Sequence, residues 1–278
     1  MDEGVLLLKM IDLHCHILPG IDDGPQSVDA ALSMCRIAAK DGIRTVVATP
    51  HCCDGRYRND AASILPVFDL LRERIHEEGI DLNLDVAGDI HIQPNLVSFL
   101  NDNECLRLGG RFVLVEVPSE VVPRLIGDFL FHLRVEGFSP ILTHPERNRM
   151  IQRRPVILED WIRCGGFTQV TAMSFTGDFG TEARDASFDL LNRGWVHCVA
   201  TDAHSPAGRK PILSRALKLL KEYVGEEGAI RLVDGNPCRI LAGEDPLTVL
   251  PLAQKGSKSN ERGFFRKYFR LAEICGFH

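Results

Sequence analysis

Two histidines two residues apart, His14 and His16, stand in the segment I-D-L-H-C-H. In an extended segment, residues at i and i+2 face one side, so both imidazoles can reach a single metal ion. Seven further metal-capable side chains follow: Asp23 in I-D-D-G, His51 in A-T-P-H, Asp89 in A-G-D-I, Glu116 in V-E-V-P, His144 in T-H-P-E-R, and Asp202 and His204 in T-D-A-H. One such residue says little, because most lone histidines are satisfied core or surface groups. Nine of them, each in or just past a short apolar run, need a common cause. Carboxylates packed together repel one another and lose hydration. Divalent cations remove that penalty. Mixed nitrogen and oxygen ligation with no required sulfur suits zinc, manganese or iron better than calcium or copper(I).

Two arginines accompany these residues. Arg147 lies three residues after His144, and Arg209 five after His204. A guanidinium fork matches phosphate oxygens and offsets charge that develops on them. The competing reading is an ordinary loop ion pair, for Arg147 with its neighbour Glu146. Metals beside arginines suit hydrolysis of a phosphate ester, with Asp23 or His204 available to shuttle a proton.

Short β-rich runs hold these residues. They cover residues 8–13, 45–49, 82–87, 112–117, 139–143, 167–171 and 196–201. Helical patterns lie between most of them, over about 27–41, 61–78, 121–136, 155–164, 180–193 and 211–224. The first opens on a serine cap and closes before Gly42. Such alternation predicts a parallel sheet covered by helices, and seven strands over this length favour a barrel. In a parallel barrel the residues after the strands converge on one rim. One domain is expected over residues 1–250. Beyond it, Q-K-G-S-K-S-N-E-R-G reads as a polar linker and F-F-R-K-Y-F-R-L-A-E-I as a basic aromatic helix. This tail, residues 251–278, would pack on its own domain or a sister subunit, or touch a membrane surface or partner.

The 278 residues are 45% hydrophobic and 25% charged with a formal charge of −6, an ordinary globular profile. An acidic chain argues against nucleic-acid binding through overall positive charge. No apolar run has the length of a membrane-spanning helix. The start lacks the basic region of a signal peptide, and the residues before Met10 read as a short extension. Nine cysteines without C-x-x-C pairs suggest reduced thiols and a cytoplasmic location. A cysteine-based phosphatase needs C-x5-R, and neither Cys164 nor Cys198 has an arginine six residues on.

Taken together, M-I-D-L-H-C-H-I-L-P-G-I-D-D-G, A-T-P-H, V-E-V-P, H-P-E-R-N, Q-V-T and T-D-A-H resemble the CpsB/CapC family. These are manganese-dependent bacterial protein-tyrosine phosphatases of capsule and exopolysaccharide loci, of the PHP superfamily. The resemblance covers about residues 10–245. It implies an α/β fold, a distorted seven-stranded (β/α) TIM-like barrel of PHP type, holding three divalent metal ions. Manganese is the ion implied, with iron or zinc as alternatives. By the same resemblance, His14, His16, Asp89 and Asp202 hold the first ion. Asp89, Glu116 and His144 hold the second, and Asp23, His51 and His204 the third. Arg147 and Arg209 match the phosphate-binding arginines. The implied substrate is a phosphotyrosine protein, a membrane-anchored tyrosine autokinase. The sequence departs from the pattern at Asp89, where the family usually has Glu, and at Cys52, where a second histidine is common. Two alternatives stand beside this reading: a phosphoesterase for small phosphomonoesters, and a regulatory binding protein with weak activity. An amidohydrolase would need a metal-bridging lysine after a middle strand, and none stands in a suitable place.

Overall fold

The computed structural model describes residues 9–123 and 126–252. Most of the tail expected beyond residue 250 therefore lies outside the described residues. The chain opens with β1 (Met10–Cys15), α1 (Val28–Asp41), β2 (Ile43–Ala48), β3 (His51–Cys52), α2 (Ala61–Glu77), β4 (Asn83–Val86), β5 (Asp89–His91) and α3 (Leu96–Asp102). It continues through β6 (Phe112–Glu116), α4 (Ile126–Val135), β7 (Ser139–Thr143), α5 (Arg149–Arg153), α6 (Ile157–Arg163), β8 (Phe167–Thr171) and α7 (Ala172–Thr176). The last elements are α8 (Thr181–Asn192), β9 (Cys198–Ala200), α9 (Ser214–Ile230) and α10 (Asn236–Leu241).

All seven anticipated runs form strands, and two short ones, β3 and β5, are added. Among the described residues these strands pair in parallel, in the orders β1-β2-β4 and β3-β5-β6-β7-β8-β9, while the isolated bridges Cys52–Arg58 and Leu108–Phe112 are antiparallel. Between β2 and β3 stands Pro50, which has no N–H to give to a ladder. Between β4 and β5 the N–H of Gly88 turns to Leu106 O at 3.2 Å. Each pair therefore runs along one path with a break in it. On its other side β1 meets the end of β9. Asp202 N donates to His14 O at 2.8 Å and His16 N to Ala203 O at 2.9 Å.

Local chemistry explains the element ends. Ser27 caps α1 by accepting from Ala30 N, and Gly42 closes it at φ 95°. Asp60 and Ser63 form a reciprocal capping box at the start of α2. The expected helix over 121–136 is shorter, because residues 121–123 are not helical and α4 begins at Ile126. Helix α9 runs past the expected end at 224 after a break at Gly225. β1 is buried along its whole length, and Phe112, Trp161 and Phe175 are the largest side chains of the interior. Burial of this kind stabilises by roughly 25 cal/mol per Å² of apolar surface. Cys15, Cys35, Cys52 and Cys198 are buried free thiols. No helix among the described residues is long and apolar enough to cross a membrane.

Candidate metal centre

Strand ends bring the nine sequence-derived side chains to one place. His14 closes the buried face of β1, and His16 follows the strand by one residue. His51 opens β3, Asp89 opens β5, and Glu116 ends β6. His144 stands directly after β7, and Asp202 two residues after β9. His144 and Asp202 adopt positive φ, 36° and 50°. Non-glycine residues rarely adopt that conformation, and held strain of this kind concentrates at functional positions.

The two histidines of β1 are fixed from behind. His14 Nδ1 lies 2.8 Å from Gln169 Oε1, and His16 Nδ1 lies 2.7 Å from Asp22 Oδ2. A ring N–H on each Nδ1 serves those acceptors. The Nε2 lone pairs then face each other at 3.0 Å. Two acceptors so close repel unless a positive charge lies between them. Carboxylates stand ready to share it. His14 Nε2 is 3.6 Å from Asp89 Oδ2 and 3.6 Å from Asp202 Oδ1, and His16 Nε2 is 3.5 Å from Asp202 Oδ1.

Among the described residues three groups of ligand atoms stand out, each with its atoms within 4.8 Å of one another: His16, Asp23, His51 and His204; His14, His16 and Asp89; and His51, Asp89 and Glu116. This grouping by proximity differs from the one the resemblance implies. His16 also stands with Asp23 and His204, and His51 reaches Asp89 and Glu116. His144 Nε2 lies 3.5 Å from Glu116 Oε1, which attaches it to the last group. The buried atoms His51 Nδ1 and Asp89 Oδ2 have no hydrogen-bond partner. Orphaned buried donors and acceptors at the centre of such a cluster fit a divalent cation.

Electrostatics divide the site. Burial, reinforced by His204 and His51, holds His16 well below the usual imidazole range, so it stays neutral and able to ligate. Burial and then Arg147 lower His144 to about 3. Burial also opposes charge on His51, but Asp89, Glu116 and Asp23 outweigh it and raise the ring to about 10. The hydrogen bond to His204 leads the effects that hold Asp23 below the ordinary carboxylate range. Burial and then Asp89 push Glu116 upward.

Arg147 and Arg209 both donate to Asp202 Oδ2, and Arg209 also donates to Asp202 O at 2.8 Å. Glu146 is not their partner. It is fully buried and accepts from Thr171 N at 3.1 Å and Ser174 Oγ at 2.6 Å. Asp202 thus offers one oxygen to the guanidiniums and the other to the histidines.

Four residues of this neighbourhood carry no sequence-derived role. Asp22 and Gln169 hold the two β1 histidines. His91 lies 3.8 Å from Glu116 Oε2, and Tyr57 stacks on His51 with ring centroids 6.0 Å apart. The alternation that paired His14 with His16 applies equally to Asp89 and His91. Asp22 sits beside Asp23, and spacing alone does not say which faces inward.

The model of the family described as capsular polysaccharide synthesis, CpsB/CapC, matches residues 10–242. The chain belongs to the CpsB/CapC family. Its relatives in this family include the tyrosine-protein phosphatase YwqE of Bacillus subtilis, 35% identical over 219 residues, 78% of this chain and 86% of that one. The tyrosine-protein phosphatase CpsB of Streptococcus pneumoniae is 26% identical over 84% of this chain and 98% of its own. A crystal structure from work on those two proteins, described as metal-dependent tyrosine phosphatases, superimposes with a TM-score of 0.82 at 33% identity, covering 87% of this chain and 99% of that one. A β-aspartyl dipeptidase from Fervidobacterium islandicum shares the fold alone, with a TM-score of 0.52 at 17% identity over 86% of this chain and 77% of that one.

Proposed function

We propose that this CpsB/CapC chain is a metal-dependent protein-tyrosine phosphatase that acts in the cytoplasm on a tyrosine autokinase governing capsule or exopolysaccharide synthesis. The carrying observation is the opposed pair of Nε2 atoms, 3.0 Å apart, next to a carboxylate gripped by two arginines. Relatives named as tyrosine phosphatases at 26–35% identity support the substrate class.

His14, His16, Asp89 and Asp202 would hold one ion, Asp89, Glu116 and His144 a second, and Asp23, His51 and His204 a third, with manganese preferred over iron or zinc. Bound ions would supply Lewis-acid polarisation of the phosphoryl group and of the attacking water. Arg147 and Arg209 would grip the equatorial phosphoryl oxygens and offset their charge. Asp22 and Gln169 keep the His16 and His14 rings turned so that Nε2 faces the centre. Asp23 Oδ1 lies 3.2 Å from His204 Nε2, with Asp23 exposed and His204 buried, and where this pair is not engaged with the third ion it would carry the proton away or deliver it to the leaving tyrosyl oxygen. Counting β2 with β3 and β4 with β5 as interrupted strands leaves seven strand positions, which supports a distorted barrel as the frame. Residues 251–278 would serve as a docking tail.

The test is phosphate release from a phosphotyrosine peptide by protein stripped with chelator and resupplied with Mn, Fe or Zn. Activity that returns with metal and survives thiol alkylation is expected. A higher kcat/KM on small alkyl phosphomonoesters than on the peptide would overturn the tyrosine reading.

A further inference from the structure

Phe179 is an aromatic side chain without a place in either apolar core cluster. It is half-buried and lines a cleft of about 860 Å³ together with Arg147, Arg153 and Arg193 and the carboxylates of Glu182 and Asp185. The turn that presents it is built for display. Gly177 and Gly180 flank it at φ 83° and 92°, and Gly180 N closes the turn on Gly177 O at 3.0 Å. The guanidinium carbons of Arg147 and Arg209 lie 4.7 Å and 5.5 Å from the centre of its ring. These two arginines are the ones that meet on Asp202. The ring therefore sits between the metal-capable cluster and the open cleft.

We infer that Phe179 is the residue that selects aryl over alkyl phosphates, a reading that rests on the proposed phosphatase activity. A phosphoryl group held by both arginines puts its ester substituent next to the Phe179 ring. A phenyl substituent gains an edge-to-face or offset contact there, and a short alkyl chain does not. The peptide around the tyrosine then follows the cleft. The ring also lies within cation–π range of both guanidiniums, so the competing reading is that it only positions them. Aryl selection and arginine positioning make different demands on ligands without a ring.

The experiment uses the metal-loaded full chain and the variants Phe179→Ala, Phe179→Leu and Phe179→Tyr. Metal content and circular dichroism establish that each is folded and loaded. KM and kcat are measured on a phosphotyrosine peptide, and Ki is measured for inorganic phosphate as a ring-free competitor. The Ala and Leu variants should raise KM for the peptide about tenfold, a size typical of one lost aromatic contact. Their Ki for inorganic phosphate should move less than about twofold on the same argument, and Tyr should restore KM. If phosphate Ki rises as much as KM, Phe179 only positions the arginines and the inference falls. An unchanged KM also overturns it. Lack of turnover by the metal-loaded wild-type chain would instead overturn the phosphatase reading itself.

Discussion

Asp22 Oδ2 and His16 Nδ1 lie 2.7 Å apart, and the other oxygen of Asp22 accepts from Gly24 N at 2.8 Å. The loop that carries Asp22 is pressed onto the strand end it serves. A Cβ at Gly24 would fall 2.3 Å from His16 O, so only glycine lets the loop come this close. The carboxylate fixes the ring of His16 and leaves Nε2 free for a cation. Changing Asp22 to Asn keeps the shape and removes the charge that stabilises the Nδ1–H. Metal affinity should fall about 10- to 100-fold, as for other carboxylates that orient ligating histidines. Isothermal titration of stripped protein with Mn would measure it. Wild-type affinity in the Asn variant would mean that the contact does not serve ligation.

Asp202 binds both arginines through one oxygen, and phosphoryl oxygens would compete for the same donors. Substitution of Arg147 or Arg209 by Ala should each lower kcat/KM about 100-fold, the scale for loss of one charge-stabilising donor. Arg147→Lys should recover only part, because an ammonium lacks the fork. A Lys variant with full activity would show that charge alone suffices. Steady-state kinetics at fixed metal decide between them.

How much of this was legible beforehand depended on the length of the signal. The period-2 placement of His14 and His16 survived because β1 is six residues long and buried throughout. The α1 boundaries were readable from Ser27 and Gly42 because capping is local chemistry. β3 and β5, of two and three residues, are too short to leave a periodic trace, and they exist through their neighbours' ladders. For Arg147 the sequence offers one carboxylate partner, the adjacent Glu146. That side chain turns inward to Thr171 and Ser174, and the distant Asp202 takes the guanidinium. Partner choice across 55 residues is set by the sheet, which no local pattern records.

Asp89 is fully buried and reaches both sides of the cluster, with Oδ2 3.6 Å from His14 Nε2 and 3.4 Å from His51 Nδ1. Its other oxygen accepts from Thr143 Oγ1 at 3.3 Å. The short side chain therefore suffices where a longer carboxylate would also reach. Asp89→Asn should abolish most metal binding, because a neutral amide leaves the bound cation without the counter-charge of the carboxylate. Asp89→Glu should keep metal but lower stability by about 1–3 kcal/mol, the cost of an extra methylene in a packed interior. Elemental analysis and thermal melts of both variants check the pair. Equal metal content in the Asn variant and wild type would count against Asp89 as a shared ligand.

His197 lies outside the metal cluster and gives the fold an acid sensitivity of its own. Its ring is buried, Nδ1 accepts from Thr168 N at 3.1 Å, and burial lowers its pKa from 6.5 to about 4. Between those values the unfolded chain binds a proton that the folded chain refuses. Stability therefore rises with pH through this window, is complete above about 6.5, and is lost as the pH falls towards 4. From pH 7.5 to 5 the loss from this one group is about 2 kcal/mol. His197→Asn keeps an acceptor for Thr168 N but cannot take up the proton. The variant should be less stable at pH 7.5, through lost packing against Phe167, yet lose about 2 kcal/mol less on acidification. Urea melts at both pH values, with chelator present so that metal release does not contribute, give the comparison. Identical acid losses in the two proteins would show that His197 carries none of the sensitivity.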